Sequence, residues 1–321
     1  MKIKKISILI LRIVVSFLVL YLVFLKIDFR VFSLTFSKIK IGYIILAFLV
    51  CGLQFLISTT KWKKLVDYFK IRLGFKFYLK FNFIALFYAT IMPGGIIAGD
   101  LIKGYKIFKI SKDRKIIINS ILMDRITGFL GLIILIIFLF FVQSVKFPHH
   151  TEIILIAMIL LLLIFTFLIF FQKIFNYLLK VIKKKTSRLG SLLEKTLKAV
   201  NTYSNNPVLL IFAVLISILI YLINTLCVYF VVLAVGIHVP FINILVINCL
   251  VNFAIIVAPI TFAGFGIREG FFVYFLGLVG VTKEFALISS LSLGFIYLFL
   301  SLGGGALELR TLFIKNKIHN V

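Results

Sequence analysis

Acidic side chains are scarce in this chain. Ten Asp+Glu stand against 36 Lys+Arg in 321 residues, a formal charge of +26. Cysteine is rarer still, with three. Cys51, Cys227 and Cys249 all fall inside apolar runs, so they read as small core hydrophobes and imply neither disulfides nor a metal. His149, His150 and His238 have no Cys or carboxylate partner at ligand spacing, which leaves no expected metal site. There is no Ser-His-Asp order and no phosphate-binding P-loop. No polar stretch is long enough for a nucleotide-binding or acyltransferase domain. These absences imply no catalytic residue and no cofactor.

What the chain has in abundance is apolar length. Hydrophobic residues make up 63% of it and its mean hydropathy is +1.20, values that exclude a soluble domain and imply an all-α polytopic membrane protein. The basic residues cluster between apolar runs. That spacing fits loops at the anionic cytoplasmic leaflet of a cell membrane and not a nucleic-acid surface. The interleaved Phe and Tyr lie within Leu/Ile/Val runs, so they face lipid or core and do not form a base-stacking platform.

Taken in order, residues 6–25 form a first span, too long for a signal-peptide core and followed by no small-residue cleavage site. Its basic start places the N-terminus in the cytoplasm. A short external segment, 26–40, leads to a second span at 41–60. Lys61, Lys63, Lys64 and Lys70 then mark an inside loop, with Trp62 as an interfacial anchor. A further span, 116–142, carries Asp124 and Arg125. Another follows at 152–171. Residues 172–206 read as a basic amphipathic helix on the inner leaflet. The span at 207–235 runs outward. The last one, 285–309, contains Gly303, Gly304 and Gly305, read as a close-packing site, and Glu308. Arg310, Lys315 and Lys317 put the C-terminus inside.

Two apolar segments are broken. Residues 81–100 contain Pro93, Gly94, Gly95, Gly99 and Asp100, and the basic clusters on both sides require the segment to enter and turn back. Residues 241–278 contain Pro259, Gly264, Gly266, Arg268, Glu269 and Gly270 between apolar runs too short to cross alone. Proline and glycine free backbone polar groups, which at membrane depth survive only inside protein or a wet cavity. Each segment reads as a re-entrant hairpin, the alternatives being a full span with a basic external loop for the first and a short polar loop at the membrane surface, with Arg268 and Glu269 solvated, for the second. The expected architecture is therefore about six full transmembrane helices plus two re-entrant hairpins. The order span, hairpin, span occurs at about 41–142 and again, inverted, at about 207–309. Paired broken helices of opposite orientation point to a transporter site at the repeat interface. Half-helix N-termini and Arg suit phosphate, so Arg125, Arg268 and Glu269 join the proline, glycine and Asp100 positions as candidate substrate-binding residues. Asp124 reads as structural. Gln54, Asn82, Asn224, Asn248 and Asn252 read chiefly as interhelical hydrogen-bonding groups, with cavity lining as the alternative.

Pro93-Gly94-Gly95 with Gly99-Asp100, then Met123-Asp124-Arg125 with Gly128, then Pro259 with Gly264-Phe265-Gly266-Ile267-Arg268-Glu269-Gly270 resemble, in order and spacing, the flippase-like membrane family. This is the lysylphosphatidylglycerol synthase transmembrane region, which includes the membrane half of the multiple peptide resistance factor. The resemblance covers nearly the whole chain, and Gly-x-Arg-Glu-Gly after a proline is its most specific part. It implies a plasma-membrane protein that moves, or helps make, a modified lipid. The expected partner is an anionic phospholipid or lipid-linked substrate. The alternative is a phosphatidylglycerol lysyltransferase, or a membrane subunit of one, for which tRNA would be a partner. A third reading is a non-transporting partner of another envelope enzyme. The chain stops soon after its last span, where the resistance factor continues into a transferase domain, so no transferase activity is expected.

Overall fold

A computed structural model describes residues 28–92, 95–142, 156, 160, 199, 201–257 and 266–319. The described residues form an all-α fold. Helix α1 is Phe29–Ser37, α2 Ile41–Asp67, α3 Phe75–Ile91, α4 Ile96–Ser111, α5 Arg114–Val142, α6 Pro207–Ala234, α7 Phe241–Val257, α8 Ile267–Leu278 and α9 Lys283–His319. Among the described residues, four stretches are long and apolar enough to cross a membrane: Ile41–Asp67, Ile116–Leu139, Pro207–Ala234 and Lys283–Thr311. The expected spans at 6–25 and 152–171, and most of the amphipathic connector at 172–206, lie outside the described residues. Within the described chain, a long helix, two short helices and a long helix follow one another twice: α2 to α5, then α6 to α9.

The chain divides into two compact units, neither continuous in sequence. One gathers the residues up to Leu56, Gly74–Lys106 and Leu222 onward; the other gathers Ile57–Leu73 and Ile107–Tyr221.

In the first unit α9 is the common partner of α3, α8 and α1. Directions follow from paired positions. Lys40 donates its N–H to the Ala234 carbonyl at 2.9 Å, Cys227 Sγ lies 3.3 Å from the Ala47 carbonyl, and Asn224 Nδ2 reaches Gln54 Oε1 at 3.4 Å. Numbers rise along α2 as they fall along α6, so these two helices are antiparallel. Phe48 meets Phe299 edge-on at 5.7 Å. Further on, Phe55 packs on Phe83 at 4.6 Å, and the Phe83 carbonyl lies against Gly304. Hence α2 and α9 run the same way.

Helices α3 and α4 form a tight hairpin. A Cβ at Gly99 would sit 2.5 Å from the Ala85 carbonyl oxygen, so only glycine permits this approach. The turn between them includes Gly95 at φ 53°, with its N–H donating to the Met92 carbonyl at 3.2 Å. Gly304 and Gly305 do for α3 and α9 what Gly99 does for α3 and α4: α9 passes through the three glycines unbroken, and side chains there would strike Phe83 and Phe87. The close-packing reading of that run holds for Gly304 and Gly305, while Gly303 has nothing near its missing Cβ.

In the second unit the helix α2 continues past residue 60, where the sequence suggested a loop. Lys61 is 5% exposed and Trp62 1%, so neither is a solvated loop residue or an interfacial anchor. The cause is a partner that the sequence does not put nearby. Lys61 Nζ lies 2.8 Å from Asp124 Oδ1 and 3.1 Å from Ser217 Oγ. Gly131 packs on Ser217 so closely that a Cβ would overlap it. A buried cation needs a partner of this kind. Asp124 is thus the counter-ion of a buried lysine. Nearby, Tyr203 is fully buried and donates to the Leu65 carbonyl at 2.7 Å; burial pushes its phenol pKa up, which keeps it a donor.

Candidate functional site

The site is built where two broken helix pairs meet α9 in the first unit. Helix α8 has 12 residues, about 18 Å of rise, too short to cross a bilayer whose apolar core is about 30 Å. It begins after Gly266, whose φ of 88° suits glycine alone. Glu269 closes this N-terminus. Its Oε2 accepts the Gly266 N–H at 2.6 Å. Its Oε1 accepts from Arg268 Nη2 at 2.7 Å, from Arg268 Nε at 3.1 Å and from Ser290 Oγ of α9 at 3.3 Å. Glu269 is 0% exposed and Arg268 9%. The carboxylate at the positive end of the helix, with an adjacent guanidinium, neutralises a charge that would otherwise be prohibitive at depth. The end of the guanidinium lies against Gly294, where a Cβ would come within 2.5 Å of Nη2.

The depth of this contact follows from helix rise. Gly294 lies about 16 Å along α9 from Lys283, close to half a bilayer core. The tip of the α3–α4 hairpin reaches the same level. Lys106, at the base of that hairpin, bonds Glu308 at 2.6 Å. The base therefore points to the C-terminal end of α9 and the tip to its middle. From Phe83, opposite Gly304, α3 advances about 14 Å to Met92. The same distance back along α9 ends near Phe295, next to Gly294. Ser290, Gly294, Tyr297, Ser301, Gly304 and Glu308 form one face of α9 at steps of three and four, so small and polar groups line the side that receives both hairpins.

One turn beyond Gly294 lies an uncharged polar cluster. Asn224 Nδ2 donates to Tyr297 Oη at 2.7 Å and to Gln54 Oε1 at 3.4 Å. Asn224 Oδ1 accepts from Asn248 Nδ2 at 2.8 Å and from Asn252 Nδ2 at 3.3 Å. Four of the five polar residues singled out in apolar runs thus meet across α2, α6 and α7, joined by Tyr297 of α9.

Residues 9–305 match a family described as lysylphosphatidylglycerol synthase TM region. The chain belongs to this family. No curated protein matches it. Membership and the four spans make the chain a multi-pass membrane protein.

For this member of the lysylphosphatidylglycerol synthase TM family, the candidates of the sequence divide as follows. Gly95, Gly266, Arg268 and Glu269 sit at or beside the two tips. Gly99 serves hairpin packing, and Asp100 forms an ion pair with Lys103 at 3.2 Å on the same helix. Arg125 is exposed on α5 in the other unit. Pro93, Gly94, Pro259 and Gly264 lie outside the described residues. The phosphate-binding role expected of Arg268 meets a competitor, since Nε and Nη2 already serve Glu269. Sequence reasoning missed Tyr297, Ser290 and the Lys106–Glu308 pair. The signal for all three was the period of α9, on which Ser290, Tyr297 and Glu308 share a face with Gly294 and Gly304.

Proposed function

We propose that this chain translocates a polar-headed lipid between membrane leaflets, the headgroup being anionic, aminoacylated or carried on a polyprenyl phosphate. The supporting observation is the arrival of two helix breaks and an uncharged polar cluster at one level of α9, about half-way along a span. Broken helices paired in this manner characterise transporter sites, and the opposed directions of α2 and α6 suit an inverted repeat of 41–142 and 207–309. The headgroup passes the tips while its chains stay in lipid. The termini face the cytoplasm of a cell membrane in this reading, as the basic loops require. Arg268 either contacts phosphate directly or holds the tip through Glu269. Purified protein in liposomes with acyl-labelled lipids tests the proposal: label becomes accessible to an external quencher faster than in protein-free liposomes, and equal rates for every lipid tried refute it.

The family description names a synthase, which favours one second reading: a phosphatidylglycerol lysyltransferase or its membrane subunit. Incubation of the protein with lysyl-tRNA and phosphatidylglycerol decides it. We expect no lysyl-phosphatidylglycerol, and clear product overturns translocation as the primary activity.

A further inference from the structure

The second unit holds an ion pair inside its spans. Lys61 Nζ meets three acceptors: Asp124 Oδ1 at 2.8 Å, the Asp124 carbonyl at 3.1 Å and Ser217 Oγ at 3.1 Å. Ser217 donates its own hydroxyl proton to the Ala213 carbonyl at 2.7 Å, which leaves its oxygen to accept. Three acceptors match the three N–H bonds of an ammonium, so Lys61 is charged and Asp124 is its anion. The site is deep. Asp124 lies about 12 Å of rise beyond Ile116, where the apolar stretch of α5 starts, and Ser217 about 15 Å beyond Pro207. At such depth apolar residues of similar volume often join helices as well as an ion pair does, and ionisable groups kept there mark ion and proton paths. The carboxylate is the more open partner, its side chain 13% exposed against 6% for the lysine. Three neighbouring elements supply the groups around it: Lys61 from α2, Tyr203 within electrostatic reach just before α6, and from α6 Ser217, which does not titrate. Tyr203 is committed as a donor to the Leu65 carbonyl. Arg125, its neighbour on α5, is exposed.

We propose that Asp124 is a proton-binding site that couples lipid movement to a proton gradient. A proton arriving from water forms an O–H bond on the carboxylate and turns the ion pair into a lone buried ammonium. That state is costly unless Lys61 withdraws. Lys61 stands near the end of α2 at Asp67, and its long stem lets the ammonium reach towards that end. Its withdrawal breaks the Ser217 bond together with the Asp124 bonds, so α2 loses these ties to α5 and α6 at once. Loss of the proton restores the pair and closes the same contacts. One proton is bound and released per cycle, and no other covalent bond changes. The effect has a route to the polar cluster. Lys61 and Ser217 are each two turns of unbroken helix, about 10 Å, from Gln54 and Asn224. The inference rests on the translocation reading and adds its energy source.

The test reads proton binding apart from transport. Infrared difference spectra of the purified protein are taken between about pH 9 and about pH 5. The double variant Lys61→Met, Asp124→Asn removes both charges and leaves neither buried alone. The wild-type protein should show one carboxylic-acid band that this variant lacks and Asp124→Glu regains. Identical difference spectra for wild type and double variant overturn the inference. Transport is then followed in liposomes with acyl-labelled lipid and an imposed pH gradient. A gradient of about one unit is a tenfold proton ratio and should change the wild-type rate by at least about threefold. The double variant should show no dependence on the gradient, and Asp124→Glu should keep it. A wild-type rate indifferent to the gradient overturns the coupling, and it decides alone where a variant does not fold. So does a double variant that responds as the wild type does. The two arms keep this inference distinct from the proposed function. Lipid movement without the Asp124 band leaves translocation standing and removes the proton site. The band without any lipid movement removes translocation and the coupling with it, and leaves Asp124 a proton-binding group.

Discussion

The two hairpins carry their charges at opposite ends. The α7–α8 hairpin has its ion pair at the tip, where Arg268, Glu269 and Ser290 join it to the middle of α9. The α3–α4 hairpin has no such pair at its described tip residues, Met92 and Gly95. Its tie to α9 lies at the base, between Lys106 and Glu308. Along its length it is held by contact of helix backbones at Gly304 and Gly99. A tip pair fixes the end of a hairpin at depth. A base pair fixes where the hairpin starts and leaves the tip to packing. The two ties thus differ in kind, a buried ion pair at the N-terminus of α8 against packing and a basal ion pair for α3–α4, and the variants below are ways to break or sharpen that contrast.

The largest effect is expected at the tip of α7–α8. Glu269→Gln removes the carboxylate from Arg268, the Gly266 N–H and Ser290 together, and should cost about 3–5 kcal/mol, since a buried cation loses its partner. Thermal unfolding in detergent reads this as a large fall in midpoint. The double variant Arg268→Met, Glu269→Gln removes both charges and should recover most of the loss. A double variant no more stable than the single one would show that the pair does not anchor the tip. The complementary substitution is Arg268→Lys, which keeps charge but loses the planar fork. If Arg268 also binds substrate, Arg268→Lys keeps its midpoint near wild type and loses translocation.

Next comes the packed edge of the other hairpin. Gly304→Leu puts a side chain into the Phe83 backbone, which has no flexible end to move aside. A cost of about 3 kcal/mol is expected, at the upper end for overpacking. Gly303 is the internal control. It is exposed with nothing near its missing Cβ, so Gly303→Leu should stay within about 0.5 kcal/mol. Similar falls in midpoint for the two variants would mean that the α3–α9 contact is not what the glycines serve.

These cases also show what can be read from the chain alone. Glu269 and Arg268 are neighbours in sequence, and a helix N-terminus after Gly266 dictates what a glutamate at its third position does; their pairing was legible. The glycine run in α9 was legible because close packing is the commonest use of small residues in a span. Lys61 was not. Read locally, it opens a basic cluster with Lys63 and Lys64, and it is a carboxylate, a carbonyl and a hydroxyl from two distant helices that hold it inside the fold. Trp62 follows it in for the same reason. Gln54, Asn224, Asn248 and Asn252 could be recognised as polar groups needing partners. That four of them share one network, with Asn224 at its centre and Tyr297 joining it from α9, depends on helix registers that periodicity leaves open. Lys106 and Glu308 went unpaired in the sequence because each lies among ordinary membrane-edge charges.

That base pair gives the smallest of the expected effects and the most selective test of the comparison. Lys106 and Glu308 side chains are 14% and 12% exposed, so both keep some contact with solvent, and a charge-assisted bond here should contribute about 1.5–3 kcal/mol. Lys106→Glu and Glu308→Lys each put like charges face to face and should lower the thermal midpoint. The swap, Lys106→Glu with Glu308→Lys, restores an attractive pair and should return most of the stability. The two ends of the molecule then differ in their response to salt. At the partly exposed base, added salt should narrow the gap between wild type and each charge-reversed variant. At the tip, where Glu269 is sealed, salt should leave the effect of Glu269→Gln nearly unchanged. Equal salt responses at the two sites would mean that tip and base share one environment, and the contrast between the two ties would fall.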